Sequence, residues 1–173
     1  MKKKQLPIGV SDFKKLRENN YYYVDKSDFI REIIEASAEI ILLPRPRRFG
    51  KTLNLNMLKI FFEKTDKDMK PLFKGLSIEK KDIFQKFQGK YPVIWLTLKD
   101  LKHQNWNECF NGLKMLIHDE FSRHRYLLDG NILYPEEKSW FKTILKRAGQ
   151  ITDYENSLKY LSKFLSNFIS VPR

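Results

Sequence analysis

The sequence predicts an α/β fold with an incomplete parallel sheet and a helix-rich second half. Two short apolar runs, Glu39–Leu43 and Tyr91–Leu98, have the composition of strands that a parallel sheet buries on both faces. Elsewhere apolar residues recur at the spacing of amphipathic helices, most of them in the second half of the chain. Because two such strands are found in 173 residues, the predicted sheet lacks some of the neighbours that its strands require.

The start of the chain is predicted to contain an arm and one helix. Residues 1–20 are expected to form an irregular basic arm, because a proline and a glycine mark a turn in a stretch that opens with MKKK. The run Tyr21–Val24 is aromatic and β-favouring, and is therefore expected to be extended. Ser27 is a suitable N-cap for a helix over DFIREIIEAS, and Asp25 is the alternative cap.

Residues 39–64 are predicted to form a strand, a loop and a helix in succession. The strand is Glu39–Leu43 and the helix is Lys51–Glu63. One face of this helix is expected to be buried, with Leu55, Leu58 and Phe62 in its apolar stripe and Phe61 beside it. A charged connection and a short helix near Glu79–Phe87 follow.

Residues 91–173 are predicted to form a second strand followed by three helices. The first helix runs from Trp106 to about Leu127, with apolar residues at helical spacing. Pro135 opens the next one in the favoured way, and Gly149 is a suitable stop. The last helix is expected to begin with a capping box over Thr152–Glu155.

The residues RPRRFGKT, Arg45–Thr52, lie between the predicted strand and helix. The pattern G-x-x-x-x-G-K-[ST] in this position is typical of a phosphate-binding loop, and Gly50, Lys51 and Thr52 fill its last three positions. In such a loop backbone N–H groups surround the phosphates, the lysine neutralises their oxygens and the hydroxyl coordinates Mg²⁺. Arg45 stands where the pattern has its first glycine. The alternative interpretation is a chance Gly-Lys-Thr at a helix start.

The rest of the loop is also expected to contribute to nucleotide binding. Pro46 fixes one backbone angle, and Arg47 and Arg48 place positive charge where side chains can flank phosphates. The predicted nucleotide site therefore consists of Arg45, Pro46, Arg47, Arg48, Phe49, Gly50, Lys51 and Thr52, with the Thr52 hydroxyl as the Mg²⁺ ligand.

Four segments carry a resemblance to a known family. The chain contains LPIGVSDFKKLRENNYYYVDKSDFI, PRPRRFGKT, LFKGLSI and KYPVIWLTLKD in this order, and on them it resembles the N-terminal part of the predicted AAA-ATPase family of bacterial proteins. The resemblance covers essentially all of residues 1–173 and makes the arginine at the first loop position a family trait. It implies a partial P-loop NTPase fold with ATP and Mg²⁺ as cofactors. Full-length members usually continue into a nuclease-like domain, which we do not find in this sequence.

The resemblance also implies an acidic pair at the end of a further strand. We find no such pair, and Asp100 is the one acid that follows an apolar strand. Phosphoryl transfer needs groups that hold the metal and orient water, so we expect no useful ATP hydrolysis from this chain alone. Asp100 is the alternative metal ligand if the two strands lie side by side. The family's strand order separates these strands, so the chain is expected to be completed by another chain, to repack with its two strands adjacent, or to be a truncated product. An inactive remnant of a longer ATPase or nuclease-like protein is a further alternative.

Composition suggests a second class of function. Thirty-three Lys+Arg against 21 Asp+Glu leave a net charge of +12, which favours polyanionic partners. The alternative hypothesis is therefore a basic nucleic-acid-binding module in which the loop has a structural role only. A lysine-rich solvated surface is the simpler explanation, since the lysines are spread along the chain.

The remaining features predict a cytoplasmic protein without a metal cluster. No apolar run approaches the roughly 20 residues that span a membrane. A single cysteine, Cys109, excludes an internal disulfide and is expected to be a core thiol. His103, His118 and His124 are too scattered for a metal site and are expected at the surface.

Overall fold

The regular structure of the protein is helical in the residues that the computed structural model describes, which are 4–44, 46 and 48–170. The α-helices of these residues are α1 (Phe13–Glu18), α2 (Asp28–Glu35), α3 (Lys51–Phe62), α4 (Asp82–Phe87), α5 (Trp106–Arg123), α6 (Pro135–Leu145) and α7 (Ile151–Ser170). Short 3₁₀ helices cover Lys70–Phe73, Ser77–Lys80 and Arg125–Leu128. The chain forms two compact units, unit 1 (Met1–Val93) and unit 2 (Ile94–Arg173).

The predicted α/β fold with its incomplete parallel sheet is wrong. Over the described ranges no segment forms a β-ladder, and a single parallel bridge joins Glu63 to Tyr91. In the predicted first strand, Ile40 and Leu42 are 88% and 83% exposed, so the apolar run is not buried. In the second, the Trp95 N–H donates to a glutamate side chain rather than to a neighbouring strand. A continuous apolar run indicates a preference for burial, but a strand forms only where another strand accepts its backbone groups.

The N-terminal segment is part of the core of unit 1, so the predicted irregular arm is wrong from Asp12 onward. The Asp12 carboxylate caps α1 by accepting a hydrogen bond from the Lys15 N–H at 2.8 Å. Phe13 and Leu16, one turn apart on the helix, are fully buried. The short helix was not predicted because the lysines of this segment indicate a solvated surface. The packing of the helix is nevertheless decided by its two buried apolar side chains.

Side-chain hydrogen bonds join α1 to the rest of unit 1. The Phe13 N–H donates to the side-chain oxygen of Asn56 on α3 at 2.7 Å. The Arg17 guanidinium donates to the carbonyl oxygens of Leu72 and Lys74 at 2.7 and 2.6 Å. These bonds involve residues that are more than 40 positions apart, so they position the N-terminal segment against α3 and the 3₁₀ helix that follows it.

The predicted helix Lys51–Glu63 is confirmed as α3, and its predicted apolar stripe is confirmed in part, because Leu58 and Phe62 pack against the core of unit 1. The residues of α3 that are buried are Asn54, Met57 and Phe61, whereas Leu55, Leu58 and Phe62 are half-buried. Phe61 packs against Phe73 and Phe84 with ring centroids 5.6 and 6.0 Å apart. Several apolar residues of this helix compete for burial, and the aromatic side chains contributed by later segments decide which face is covered.

The helix predicted after Ser27 is confirmed as α2, with a different arrangement at its start. Ser27 is fully buried, and its hydroxyl accepts a hydrogen bond from the Ile78 N–H at 3.2 Å instead of capping α2. The Asp25 carboxylate accepts from the Ser27 N–H at 2.8 Å and from the N–H and hydroxyl of Ser77 at 2.7 Å each. Both side chains therefore connect the α2 start to the 3₁₀ helix near residue 78.

Unit 2 is a helical bundle, and its three predicted helices are confirmed as α5, α6 and α7. α5 ends at Arg123, before the predicted end, and a 3₁₀ helix follows it. α7 begins at Ile151, and Asp153 accepts a hydrogen bond from the Gln150 N–H at 2.7 Å, so the predicted capping box is wrong. The buried core consists of Ile117, Phe121, Leu127, Leu133, Phe141, Ile144, Tyr154, Leu161, Phe164 and Leu165.

A buried polar cluster holds the first residues of unit 2 against α5. Glu120 is 3% exposed and accepts hydrogen bonds from the Trp95 N–H at 2.9 Å and from Arg123 at 2.6 Å. His124, also 3% exposed, lies 3.2 Å from Glu120 and 2.9 Å from the Tyr126 hydroxyl. The surface position expected for His124 is therefore wrong.

The hydrogen bonds of this cluster set the pKa of the Glu120 carboxyl. Burial by itself raises that pKa, but the hydrogen bonds from His124 and the Trp95 N–H, together with the positive charge of Arg123, outweigh it. The pKa of Glu120 therefore lies below its ordinary value of 4.5. The carboxylate is the form that these donors stabilise.

Candidate functional site

The start of α3 has the backbone conformation of an anion-binding turn. Gly50 is its N-cap, with φ of 71° and ψ of 15°, and its carbonyl oxygen accepts the first helical hydrogen bond from the Asn54 N–H at 2.9 Å. Lys51, the next residue, is the first of the right-handed helix. A left-handed residue followed by a right-handed one turns successive backbone N–H groups toward one side, which creates a concavity for an anion.

Glycine is required at position 50 by its backbone angle and not by lack of space. A Cβ atom built on Gly50 would meet nothing within 4 Å. The left-handed region is nevertheless unfavourable for residues with a side chain. The glycine of the Gly-Lys-Thr motif therefore occupies a position where the backbone requires a left-handed conformation.

The N-terminus of α3 is open to a ligand. No side chain caps it, and its first turn contains no acidic residue. Lys51 and Thr52 are exposed. The first N–H groups of a helix have no partner within the helix, and the helix dipole adds a partial positive charge at this end. An anion is the ligand that this combination suits.

A groove of about 780 Å³ runs between the start of α3 and the N-terminal segment. Its volume lies within the roughly 300–1,000 Å³ that is usual for small-molecule sites. The groove is lined by Pro7, Ile8, Gly9, Val10, Ser11, Pro46, Arg48, Gly50, Lys51, Thr52 and Leu53. The contribution of residues 7–11 was not foreseen from the sequence, because the turn signal at Pro7 and Gly9 does not show what the turn faces.

Some of the loop residues that were predicted to bind nucleotide line the groove, and others do not. Pro46, Arg48, Gly50, Lys51 and Thr52 line the groove. Phe49 is 62% exposed and is not one of the lining residues. Arg45 and Arg47 were also predicted, and they lie outside the described residues. The structure thus places the Gly-Lys-Thr motif and one arginine together on the groove wall.

Arg48 has an unusual backbone conformation for a residue with a long side chain. Its φ is +70°, in the left-handed region that costs a non-glycine residue of order 1–3 kcal/mol. Such outliers concentrate at ligand-binding and switch regions. This one lies two residues before Gly50, in the wall of the same groove.

Other residues with reactive or ionisable side chains are not among those that line the groove. Asp100, the alternative metal ligand, is exposed in unit 2. His118 lies 2.9 Å from Asp119, and Cys109 is half-buried rather than a core residue. A search of the described residues finds no group of three or more His, Cys, Asp or Glu side chains that could hold a metal ion. Among the helices described, none has the length and apolar character needed to cross a membrane.

The described residues define a helical protein with an uncapped helix start beside a groove, and sequence comparison gives its family. Residues 7–161 match the model of the AAA-ATPase-like family, whose description is Predicted AAA-ATPase. The match covers most of the chain, so the protein belongs to this family. The groove, including residues 7–11 and the Gly-Lys-Thr motif, lies within the matched region.

One curated protein is similar to part of the chain, and its description names no function. The chain is 44% identical over 95 residues to a protein of Azotobacter chroococcum mcd 1 described as "Uncharacterized protein in vnfD 5'region". The alignment covers 54% of this chain and 17% of the relative's own length. No solved structure matches the chain.

Proposed function

We propose that the groove binds a nucleotide as its Mg²⁺ complex, and that ATP is the nucleotide. The observation that carries the proposal is the position of Gly50, Lys51 and Thr52 at the uncapped start of α3, in the wall of a groove of suitable volume. The family description supports ATP as the ligand. The proposal concerns binding and makes no claim of turnover.

Each residue of the motif has a separate role in the proposed complex. The N–H groups after Gly50 donate to phosphate oxygens, and the Lys51 ammonium neutralises part of their charge. The Thr52 hydroxyl would hold Mg²⁺, which would neutralise part of the phosphate charge. Arg48 lines the same groove and supplies a further positive charge. In the proposed complex, backbone N–H groups, the side chains of Arg48 and Lys51 and the metal ion together offset the negative charge of the phosphates.

The test measures the affinity for ATP by isothermal titration calorimetry, with Mg²⁺ and with a chelator. We expect Mg²⁺-dependent binding that weakens roughly 10- to 150-fold in Lys51→Ala, because a charge-assisted hydrogen bond contributes about 1.5–3 kcal/mol. Lys80→Ala is the matched control: Lys80 is an exposed lysine of the same unit that does not line the groove. We expect this control to bind ATP as the unchanged protein does.

Two outcomes would contradict the proposal. Equal affinity of the unchanged protein and Lys51→Ala would exclude the motif as the phosphate site. An equal loss in Lys51→Ala and Lys80→Ala would attribute binding to the net charge of +12 rather than to the groove. The second outcome would favour the general polyanion binding that the charge alone predicts.

A further inference from the structure

Unit 2 contains a pocket of about 400 Å³ between α6 and α7. This volume lies within the roughly 300–1,000 Å³ that is usual for small-molecule sites. Among the described residues, the lining consists of three acidic, three aromatic and two neutral polar side chains, and none is basic. The chain as a whole has a net charge of +12, so the pocket differs in charge from the rest of the protein. Its lining favours a positively charged ligand.

The apolar part of the lining is aromatic. It consists of Trp140 on α6 and of Tyr160 and Phe164 on α7. The Trp140 ring centroid lies 4.9 Å from that of Tyr160 and 6.3 Å from that of Phe164. Phe164 is 1% exposed and Tyr160 is 41% exposed, so the aromatic surface extends from a buried ring to one at the protein surface. The face of an aromatic ring is electron-rich and attracts a cation.

Two acidic residues of the lining connect α6 to α7. The Trp140 indole N–H donates a hydrogen bond to the Asp153 carboxylate at 2.8 Å. The Lys163 ammonium donates to the Glu137 carboxylate at 3.1 Å. Each contact joins a residue of α6 to a residue of α7, so the two helices that line the pocket are held together without a ligand.

Glu136, the third acidic residue of the lining, has a carboxylate that the fold does not use. It is exposed in the first turn of α6, and no ion pair or hydrogen bond of its side chain is found over the described ranges. A favourable interaction with the helix dipole is the simpler explanation for an acid at this position. That interaction involves neither the aromatic rings nor a ligand, so the two explanations predict different results in a binding experiment.

We propose that the pocket binds a guanidinium group on an aliphatic stem, the chemistry of an arginine side chain or of a small guanidine compound. A guanidinium is planar, so it stacks on the Tyr160 ring while its N–H groups donate to the Glu136 carboxylate. An ammonium is a compact and more strongly hydrated charge that does not stack, and it is therefore the poorer ligand. A metal ion is also disfavoured, because the described residues include no group of three or more His, Cys, Asp or Glu suited to holding one.

The test titrates Nα-acetyl-arginine amide into the protein by calorimetry. Nα-acetyl-citrulline amide is the control ligand, because it has nearly the same shape and no charge. We expect the arginine compound to bind roughly 3- to 30-fold more tightly, since it adds an ion pair and a cation–π contact. n-Propylguanidine distinguishes the two sources of the group. An affinity equal to that of the arginine compound would indicate a small guanidine ligand, and a weaker one would indicate an arginine side chain of a partner protein.

Substitutions in the lining locate the binding. Glu136→Gln and Tyr160→Leu are each expected to weaken binding of the arginine compound roughly 1.5- to 5-fold. Glu155→Gln is the matched control, since Glu155 is an exposed acid of α7 that does not line the pocket, and it should leave the affinity unchanged. Circular dichroism checks that each variant keeps its helices.

Three results would refute the proposal. Equal affinities for the arginine and citrulline compounds would show that the pocket does not recognise the charge. Equal losses in Glu136→Gln and Glu155→Gln would attribute binding to the general field of the acidic side chains. Absence of binding at millimolar concentrations of the arginine compound would exclude a guanidinium site. None of these results bears on the proposed nucleotide site, which is tested with a different ligand and different substitutions.

Discussion

Replacement of Gly50 by alanine tests the link between backbone conformation and ligand binding. Gly50 has φ of +71°, and a Cβ atom there would contact nothing within 4 Å. The cost of alanine is therefore conformational alone, roughly 1–2 kcal/mol for the left-handed region. The preceding residues Arg48 and Phe49 are exposed, so the loop is free to relax to a conformation that alanine prefers.

We expect the relaxed loop to bind the nucleotide less tightly. If the binding-competent conformation becomes less favourable by roughly 1–2 kcal/mol, the apparent affinity for Mg²⁺-ATP falls roughly 5- to 30-fold. Because the strain is relieved locally, the free energy of unfolding changes by less than about 1 kcal/mol. Calorimetry gives the affinity, and urea denaturation followed by circular dichroism gives the stability.

Gly75→Ala is the matched control for this substitution. Gly75 has φ of +78° and likewise leaves nothing within 4 Å of a Cβ atom. Its N–H donates to the Glu79 carboxylate at 2.7 Å, so this turn is held in place and the strain lowers the free energy of unfolding by roughly 1–2 kcal/mol. The ATP affinity is expected to stay unchanged. Unchanged affinity in Gly50→Ala, or an equal loss in both proteins, would refute the role given to the Gly50 conformation.

Two further predictions concern the core of unit 1 and the buried cluster of unit 2. Phe13→Ala should lower the free energy of unfolding by about 3–5 kcal/mol, because Phe13 is fully buried. Leu6→Ala is the control: Leu6 is 66% exposed, and its replacement should change the free energy of unfolding by less than about 0.5 kcal/mol. Similar effects of the two substitutions would show that α1 is not part of the core. The Glu120 carboxyl has a folded-state pKa below 4.5, so its stabilising contribution is complete above that pH and is lost as the pH falls through the folded-state pKa. Urea denaturation between pH 3 and 7 should show that the difference in free energy of unfolding between the wild type and Glu120→Gln becomes smaller at the acidic end. Glu136→Gln is the control for the loss of one acidic side chain. A difference that does not depend on pH would contradict the prediction.

The sequence determined those elements whose signals are local. The start of α2 after Ser27, the start of α3 at Lys51 and the start of α6 at Pro135 were all predicted within the accuracy of helix boundaries. Capping residues, proline at a first turn and apolar periodicity act within a few residues of the chain, so they can be recognised without knowledge of the fold. The Gly-Lys-Thr motif also indicated the position of the candidate site, because its glycine conformation and the helix start after it are local properties.

Tertiary structure decided the features that depend on distant partners. The run Glu39–Leu43 has strand composition, yet it forms no ladder, because pairing requires a second strand at the right distance and the sequence pattern does not specify one. His124 is buried, and Glu120 and Tyr126 supply hydrogen-bond partners for its ring. The spacing of the three histidines in the sequence did not indicate these partners.

The groove shows the same division between local and distant effects. The turn at Pro7–Val10 was recognisable from its proline and glycine, but its place in the lining of the groove that also contains Lys51 was not. The segment that contains the turn is held by hydrogen bonds from the Phe13 N–H to Asn56 and from the Tyr22 N–H to the Gln5 carbonyl oxygen, and by burial of the Phe13 ring. Local sequence therefore determined the two sides of the groove separately. Packing between segments brought them together, because burial of apolar surface and pairing of backbone groups depend on the whole unit and not on any one segment.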